Sequence, residues 1–426
     1  MWMSDRMLKA LIFTIVVFLL GTSVFAQELK LSDLIEEALK NNPDIRASQA
    51  RIEAAKYRIP QAQSLPDPMV MVGYQNEGFD RYSYGEMEGS QWMFSASQMF
   101  PFPGKRSLKG DMAARDAESM ESMHELLKLR TTARVRELYY DLFLAYKNID
   151  LLKDMRSLFD RMEDLTVIRY AAGKAMQQEV LMAQTEKYML LEKEEMFKQK
   201  TLSLEAMLSA VIAREKGPSL GRPMDPPFRP YAVSLEEALQ KADKNSPEIK
   251  ARAKMIEAAD AKLLMAQKEY YPDFTLGASY FKRTGEFESM WSATATINVP
   301  LYFKTKQEPG VKEAAASLNQ AKKELEAAKL MIAAAVRDNM SMLRTSEKLM
   351  DLYRSGLIPK NTQDVELALT GYATGRIDAI VVISRLKILL DYEILYWNQF
   401  AEREKAIARL QAIAEGLNPA PGGEKN

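Results

Sequence analysis

Few side chains in this 426-residue sequence could do chemistry, and the types present narrow what that chemistry is. There is no cysteine and one histidine, His124. Disulfides and thiolate metal sites are therefore excluded. Histidine-based acid–base catalysis and zinc ligation lack the residues they need. Nothing near His124 completes a ligand spacing, so it reads as a surface residue of a helix. Methionine is abundant at 26, and Met69, Met71, Met87, Met93 and Met99 crowd one stretch. Thioethers suit soft Cu(I) or Ag(I). Without a tight Met-x-x-Met repetition they also fill apolar surface, and the spacing favours that second reading. A third group surrounds two glycines. Arg169, Tyr170, Lys174 and Glu179 flank Gly173, and Tyr372, Arg376 and Asp378 flank Gly375. Tyr-x-x-Gly occurs at both places, and the chemistry these residues offer is ion pairing. Phosphate loops, dinucleotide glycine fingerprints and His-Glu-x-x-His are missing. No catalytic residue, metal site or cofactor is expected, and the chain does not read as an enzyme.

The elements that must carry these residues begin with strands. Trp291–Val299 alternates apolar residues (Trp291, Ala293, Ala295, Ile297, Val299) with small polar ones (Ser292, Thr294, Thr296, Asn298). Period-2 alternation marks a strand with two different environments on its faces. Trp92–Phe100 is its twin: Trp92/Trp291 and Pro101/Pro300 share a 199-residue offset. Shorter alternating runs after Pro68 and Pro272 complete two hairpins, at 69–100 and 273–299. Four strands cannot hide their own edges, so pooling hairpins from several copies into a closed barrel is expected. Trp92 and Trp291, with Ala293, Ala295, Ile297 and Val299, are expected to face lipid, and the polar set a watery lumen.

The hairpins sit inside a duplication. Pro43/Pro247, Pro68/Pro272 and Gly73/Gly277 share a 204-residue offset, and Ile52-Glu53-Ala54-Ala55 returns as Ile256-Glu257-Ala258-Ala259. A helix is expected over 31–65. From Lys105 to Tyr170 there is no proline, and Gly110 is the only glycine. Val135, Leu138, Leu142, Tyr146, Ile149, Leu152, Met155, Phe159 and Met162 step by threes and fours, near the 3.5-residue period of coiled-coil packing. That segment is roughly 100 Å long, and Lys174–Arg214 returns over roughly 60 Å. In the second half Gly356 and Pro359 interrupt the long helix, Pro359 is expected to kink it, and the return runs from Ile377 to Glu415. The plan is 1–26 leader, 27–216 first repeat, 217–233 Pro/Gly linker, 234–416 second repeat and 417–426 flexible tail.

Residues 1–26 read as a secretory signal peptide. Arg6 and Lys9 precede a short apolar run, and Val24 and Ala26 fit the cleavage rule. The 58 basic residues balance 58 acidic ones, so no nucleic acid partner is expected.

With the repeat, hairpins and glycine turns in place, the chain resembles the TolC-like outer-membrane efflux family. The likeness rests on Ala38-Leu39-Lys40-Asn41-Asn42-Pro43, on Tyr170-Ala171-Ala172-Gly173-Lys174 followed by Glu179-Val180-Leu181, and on Tyr372-Ala373-Thr374-Gly375-Arg376. Phe100-Pro101-Phe102-Pro103-Gly104-Lys105-Arg106 resembles the heavy-metal branch, which serves cobalt–zinc–cadmium or copper–silver pumps. The resemblance implies a mainly α protein with a membrane β-barrel. A homotrimer would have a 12-stranded barrel on a long periplasmic α-helical barrel, an even strand number that suits outer-membrane barrels. It implies a cell outer membrane location in a Gram-negative bacterium, contact with outer-membrane lipid, and a periplasmic adaptor (membrane fusion) protein and an inner-membrane RND-type pump as partners. The chain would be the passive exit duct, for substrates such as heavy-metal cations. Tyr170, Gly173, Lys174, Tyr372, Gly375 and Arg376 would form the adaptor-docking tip, with Arg169, Glu179 and Asp378 as gate charges. Two departures stand out. Lipid-anchored relatives begin with cysteine, and this sequence has none. The second turn carries Val381-Val382-Ile383 where many members have Asp-Val-Leu. The rival readings are the outer channel of a type I protein-secretion system and a periplasmic coiled-coil scaffold.

Overall fold

The computed structural model of the protein describes residues 29–215 and 220–413. The expected leader and the expected tail lie outside the described residues.

Each half runs helix, helix, hairpin, long helix, return helix. The first half contains α1 (Leu31–Asn41), α2 (Pro43–Gln63), β1 (Met69–Gln75), β2 (Gln91–Phe100), α3 (Lys105–Ala171) and α4 (Gln177–Val211). The second contains α5 (Leu235–Asn245), α6 (Pro247–Lys268), β3 (Phe274–Lys282), β4 (Met290–Ile297), α7 (Gln307–Asp351), α8 (Ile358–Ala373) and α9 (Ala379–Ile413).

The single helix expected over 31–65 is two. A residue before proline is pushed out of helical conformation, and Asn42 takes φ −57°, ψ 124°. Pro43 then sits at the first helical position, where its missing N–H costs nothing. The Asn42 side chain accepts from the N–H groups of Asp44 (2.9 Å) and Ile45 (3.3 Å) and so caps α2. Ser246 and Pro247 repeat the break, which explains why both halves carry a proline there.

At Pro359 the helix is not broken. Leu352–Leu357 winds as a π-helical turn between α7 and α8, and the Ile358 N–H reaches back to the Tyr353 carbonyl. The wider turn absorbs a proline that has no N–H to give.

Residues divide into two compact units, each drawn from both halves. The first takes residues up to 38, 134–229 and 343–405; the second takes 39–133, 230–342 and 406 onwards. In the first unit the threes-and-fours ladder is the core. Val135, Leu138, Leu142, Ile149, Leu152, Met155, Phe159 and Met162 are all buried, and Tyr146 packs against them. Leu204 and Leu208 of α4 close one cluster, and Leu386 and Leu390 of α9 close the other. The described part of the linker is pinned rather than loose. Leu29 bridges Pro223, and the Tyr139 hydroxyl donates to the carbonyls of Leu29 (3.2 Å) and Met224 (3.1 Å).

In the second unit the hairpins form one antiparallel sheet in the order β1-β2-β3-β4. The halves join at β2 and β3, where Phe100 faces Phe274 and Phe94 faces Tyr280. The segment that follows β2 locks this junction. The Lys105 ammonium, 3% exposed, donates to Asp273 Oδ1 (2.9 Å) and the Tyr271 carbonyl (3.2 Å). The Phe102 N–H takes the same carboxylate oxygen at 2.7 Å, and the Phe102 ring stacks on Tyr271 at 4.5 Å.

Candidate functional site

The glycine turns end two helices in the same way. After α3, Gly173 takes φ +70° and the Lys174 N–H bonds to the Arg169 carbonyl at 2.8 Å. After α8, Gly375 takes φ +77° and the Arg376 N–H bonds to the Gly371 carbonyl at 2.8 Å. Both are Schellman-type caps, in which a left-handed residue lets the chain fold back on its last free carbonyls. Backbone conformation is therefore what requires glycine at both positions.

The two turns meet around Tyr372, which is fully buried. The Arg169 guanidinium lies 4.4 Å from the Tyr372 ring centre, and its Nη1 donates to the Tyr372 carbonyl. Its Nη2 donates to the Lys174 carbonyl at 3.0 Å. The Tyr372 hydroxyl donates to Glu179 Oε2 at 2.8 Å. Burial, and then the bond to Glu179, raise the Tyr372 pKa above its ordinary value. Arg169 comes from the end of α3, Glu179 from the first turn of α4 and Tyr372 from the last turn of α8. Tyr170, Lys174, Gly375, Arg376 and Asp378 are exposed around this knot. Of the charges expected at the tip, Arg169 and Glu179 are thus engaged with a buried tyrosine rather than with each other. Arg376 and Asp378 stand outside it. Sequence reading missed Gly371, where a Cβ would lie 2.6 Å from Ile377 Cδ1; only the packed turn reveals that constraint.

The sheet carries a second functional pattern. Residues directly opposite one another in an antiparallel pair share a face. One face therefore collects Val70, Val72, Tyr74, Trp92, Phe94 and Ala96, then Phe274, Leu276, Ala278, Tyr280, Trp291, Ala293, Ala295 and Ile297. The other collects Ser95, Ser97, Thr275, Ser279, Ser292, Thr294 and Thr296 with several methionines. Along β3 the apolar residues Phe274, Leu276, Ala278 and Tyr280 are exposed, while Thr275, Gly277, Ser279 and Phe281 are half-buried. Trp291 is 80% exposed. This is the reverse of a water-soluble sheet, whose apolar face is the covered one. Aromatic residues mark both ends of the apolar band. Phe100 and Phe274 stack at 5.8 Å at one end; Phe94, Tyr280 and Trp291, then Trp92 and Tyr74, form the other. Phe274 and Tyr280 are six residues apart, or roughly 20 Å of strand.

His124 is half-buried in a cleft with Lys56, Glu121, Lys128 and Lys250. Among the described residues no three His, Cys, Asp or Glu side chains gather as metal ligands. No described helix is long and apolar enough to cross a membrane.

The family described as outer membrane efflux protein matches residues 34–214 and 238–382, most of both repeats. The chain belongs to this family. As an outer membrane efflux protein it has an outer-membrane location, and its inside-out sheet takes its meaning from that. A curated relative, the probable outer membrane lipoprotein SilC of Salmonella typhimurium, is 21% identical over 297 residues. That match takes in 66% of this chain and 63% of the relative, so the chain spans just under two thirds of the protein it matches. Among solved structures, a membrane protein from Pseudomonas aeruginosa is similar with a TM-score of 0.80, at 18% identity, over 90% of each chain. CusC, described as forming a transmembrane channel, is similar with a TM-score of 0.78 at 13% identity, over 92% of this chain and 93% of that one. VceC of Vibrio cholerae gives 0.76 at 18% identity, over 91% and 97%. At these identities the structures speak for a shared fold, the mainly α architecture with a β-domain expected from the sequence.

Proposed function

We propose that the protein is the trimeric outer-membrane duct of a tripartite efflux system, a passive exit fed by an inner-membrane RND-type pump through a periplasmic adaptor. The observation that carries this reading is the sheet. Its apolar face is exposed, with aromatic residues at both ends, as a lipid-facing barrel wall requires, and its other face is uncharged and carries serine, threonine and glutamine among methionines. β1 and β4 are the edges of the sheet, with backbone groups that a neighbouring copy can pair. Three copies of four strands close a barrel with no edge left. Residues 27–216 and 234–416 then act as two equivalent wall segments, joined by 217–233.

The knot at Tyr372 is the periplasmic tip in this reading. α3 carries 67 residues, about 100 Å, between the strand end and Gly173. Tyr170, Gly173, Lys174, Tyr372, Gly375 and Arg376 present the adaptor-docking surface. Arg169 and Glu179 hold the two turns of one copy together, and the exposed pair Arg376 and Asp378 meets the next copy. The resemblance of Phe100–Arg106 to the heavy-metal branch supports heavy-metal cations as cargo. Mass measured in detergent tests the assembly. Three chains per particle is the expected result; a well-folded monomer in plain buffer would favour the coiled-coil scaffold instead.

A further inference from the structure

We infer that the uncharged face of the sheet, on which Met69, Met71, Met99 and Met290 are exposed, is a ladder of thioethers that takes soft monovalent cations, Cu(I) or Ag(I), along the lumen; this rests on the duct reading above. Strand register carries the inference. Met99 stands opposite Thr275, Met69 opposite Ser97, and Met71 opposite Ser95. Met93 stands between Gly73 and Phe281, with Met290 on the far side of Phe281. These are four successive rungs of one face, about 7 Å apart, and each holds a methionine. The methyl of Met93 lies 3.2 Å from where a Cβ on Gly73 would stand, so its side chain reaches across to β1 on that face.

Sequence spacing hides this. Met87 belongs to the hairpin loop and drops out of the set, while Met290, on a strand from the other half, joins it. Packing filler would be expected beside Val72, Phe94 and Leu276, on the apolar face. All five methionines instead share a face with serine, threonine, glycine and glutamine, and with one aromatic residue, Phe281. Met69 and Met71 on β1 are diagonal neighbours of Met99 and Met93 on β2, about 7–8 Å apart along the backbone. A methionine side chain has three rotatable bonds, so adjacent sulfurs can converge on one ion and release it to the next rung.

The same face selects the cation class. Within the strands it carries no Asp, Glu, His, Lys or Arg; Lys282 falls on the opposite face. Hard or borderline cations such as Zn²⁺ seek carboxylate or imidazole, and thioethers select Cu(I) or Ag(I). Weak sites at every rung also suit conduction, which needs entry without trapping.

The test uses the full-length trimer in lipid nanodiscs with silver nitrate in chloride-free buffer. Bound Ag⁺ is measured by equilibrium dialysis, with Zn²⁺ as the control ion. Saturable Ag⁺ binding is expected, at least tenfold tighter than Zn²⁺. Met69→Leu, Met71→Leu, Met93→Leu and Met99→Leu combined should lower Ag⁺ occupancy at least fivefold. Met196→Leu with Met331→Leu, both exposed on helices, should leave it unchanged. If the fourfold variant assembles poorly, Met71→Leu with Met93→Leu alone should halve the occupancy. Equal Ag⁺ binding by wild type and variant, or equal Ag⁺ and Zn²⁺ binding, overturns the ladder. Potassium nitrate conductance in planar bilayers separates the two claims. Pores with normal conductance but methionine-independent silver binding overturn only the ladder, and no conductance from any form overturns the duct itself.

Discussion

The guanidinium carbon of Arg169 lies over the ring of Tyr372, 4.4 Å from its centre, and Nη1 also donates to that residue's carbonyl. Two turns 202 residues apart in sequence, at Gly173 and Gly375, are thereby fastened by one arginine. Lysine offers neither the fork nor the stacking plane. Arg169→Lys should therefore raise leak conductance in planar bilayers nearly as much as Arg169→Ala, while trimers remain intact. Conductance at the wild-type level in Arg169→Lys would show that charge alone holds the turns.

Tyr372→Phe removes one hydroxyl and leaves Glu179 without that donor. The expected cost is about 1 kcal/mol, visible as more frequent channel opening. The pH dependence has a definite sign. A folded-state pKa raised above the ordinary tyrosine value keeps the hydroxyl protonated, so its contribution is fully present below the unfolded pKa, near 10, and is lost only as pH rises through the folded value. Wild-type conductance should gain no tyrosine-dependent rise below about pH 10. A rise centred below that, absent from Tyr372→Phe, would contradict the burial argument.

Much of this was legible in the sequence. Alternation over Trp291–Ile297 separates the two faces of β4, although Asn298 and Val299, expected to continue it, lie beyond the strand; the threes-and-fours run in α3 gave the core residue by residue. What stayed hidden were relations between the halves. No spacing rule links Lys105 to Asp273 or Arg169 to Tyr372, or puts Met93 and Met290 on one rung, because chain topology and strand register create those relations. The helical pattern of 31–65 runs through Asn42 and hides the restriction that Pro43 places on its predecessor. At Pro359, where the sequence predicts a kink, a π turn precedes the proline.

The two faces of β4 should tolerate charge differently. Ala295 lies opposite Leu276 on the apolar face, and Thr296 opposite Thr275 on the polar one. Arginine at 295 should cost about 2–4 kcal/mol if placed near the bilayer midplane, and arginine at 296 little. Heat-resistant trimers in outer-membrane extracts should be lost for Ala295→Arg and kept for Thr296→Arg; equal yields would reverse the assignment of the faces.

Asp273→Asn should loosen the junction between halves. It leaves the Lys105 ammonium buried with a neutral partner, a change worth about 3 kcal/mol. Thermal unfolding of the detergent-solubilised trimer should begin at a lower temperature. An unchanged transition would mean that Glu269, 3.5 Å from Lys105, already suffices.

The duplicated helix caps should no longer be equivalent. Asn42→Ala removes two bonds to free N–H groups and should cost about 1 kcal/mol. Ser246 makes no such bond, and its hydroxyl is buried without a partner among the described residues, so Ser246→Ala should be neutral or slightly stabilising. Matching losses for both variants in chemical denaturation would refute the difference.

Closure of the barrel between copies is tested most directly by joining β1 to β4. In one copy these strands are separated by β2 and β3, about 14 Å, beyond the roughly 7 Å that a disulfide spans between Cα atoms. The sequence has no cysteine of its own, so introduced pairs report without background. Met71→Cys combined in turn with Ser292→Cys, Thr294→Cys and Thr296→Cys samples three registers of one face. After mild oxidation in outer membranes, at least one pair should give a covalent trimer on a denaturing gel, reversed by reductant. Membrane-extracted protein that stays monomeric on the gel for every pair would contradict a barrel closed between copies.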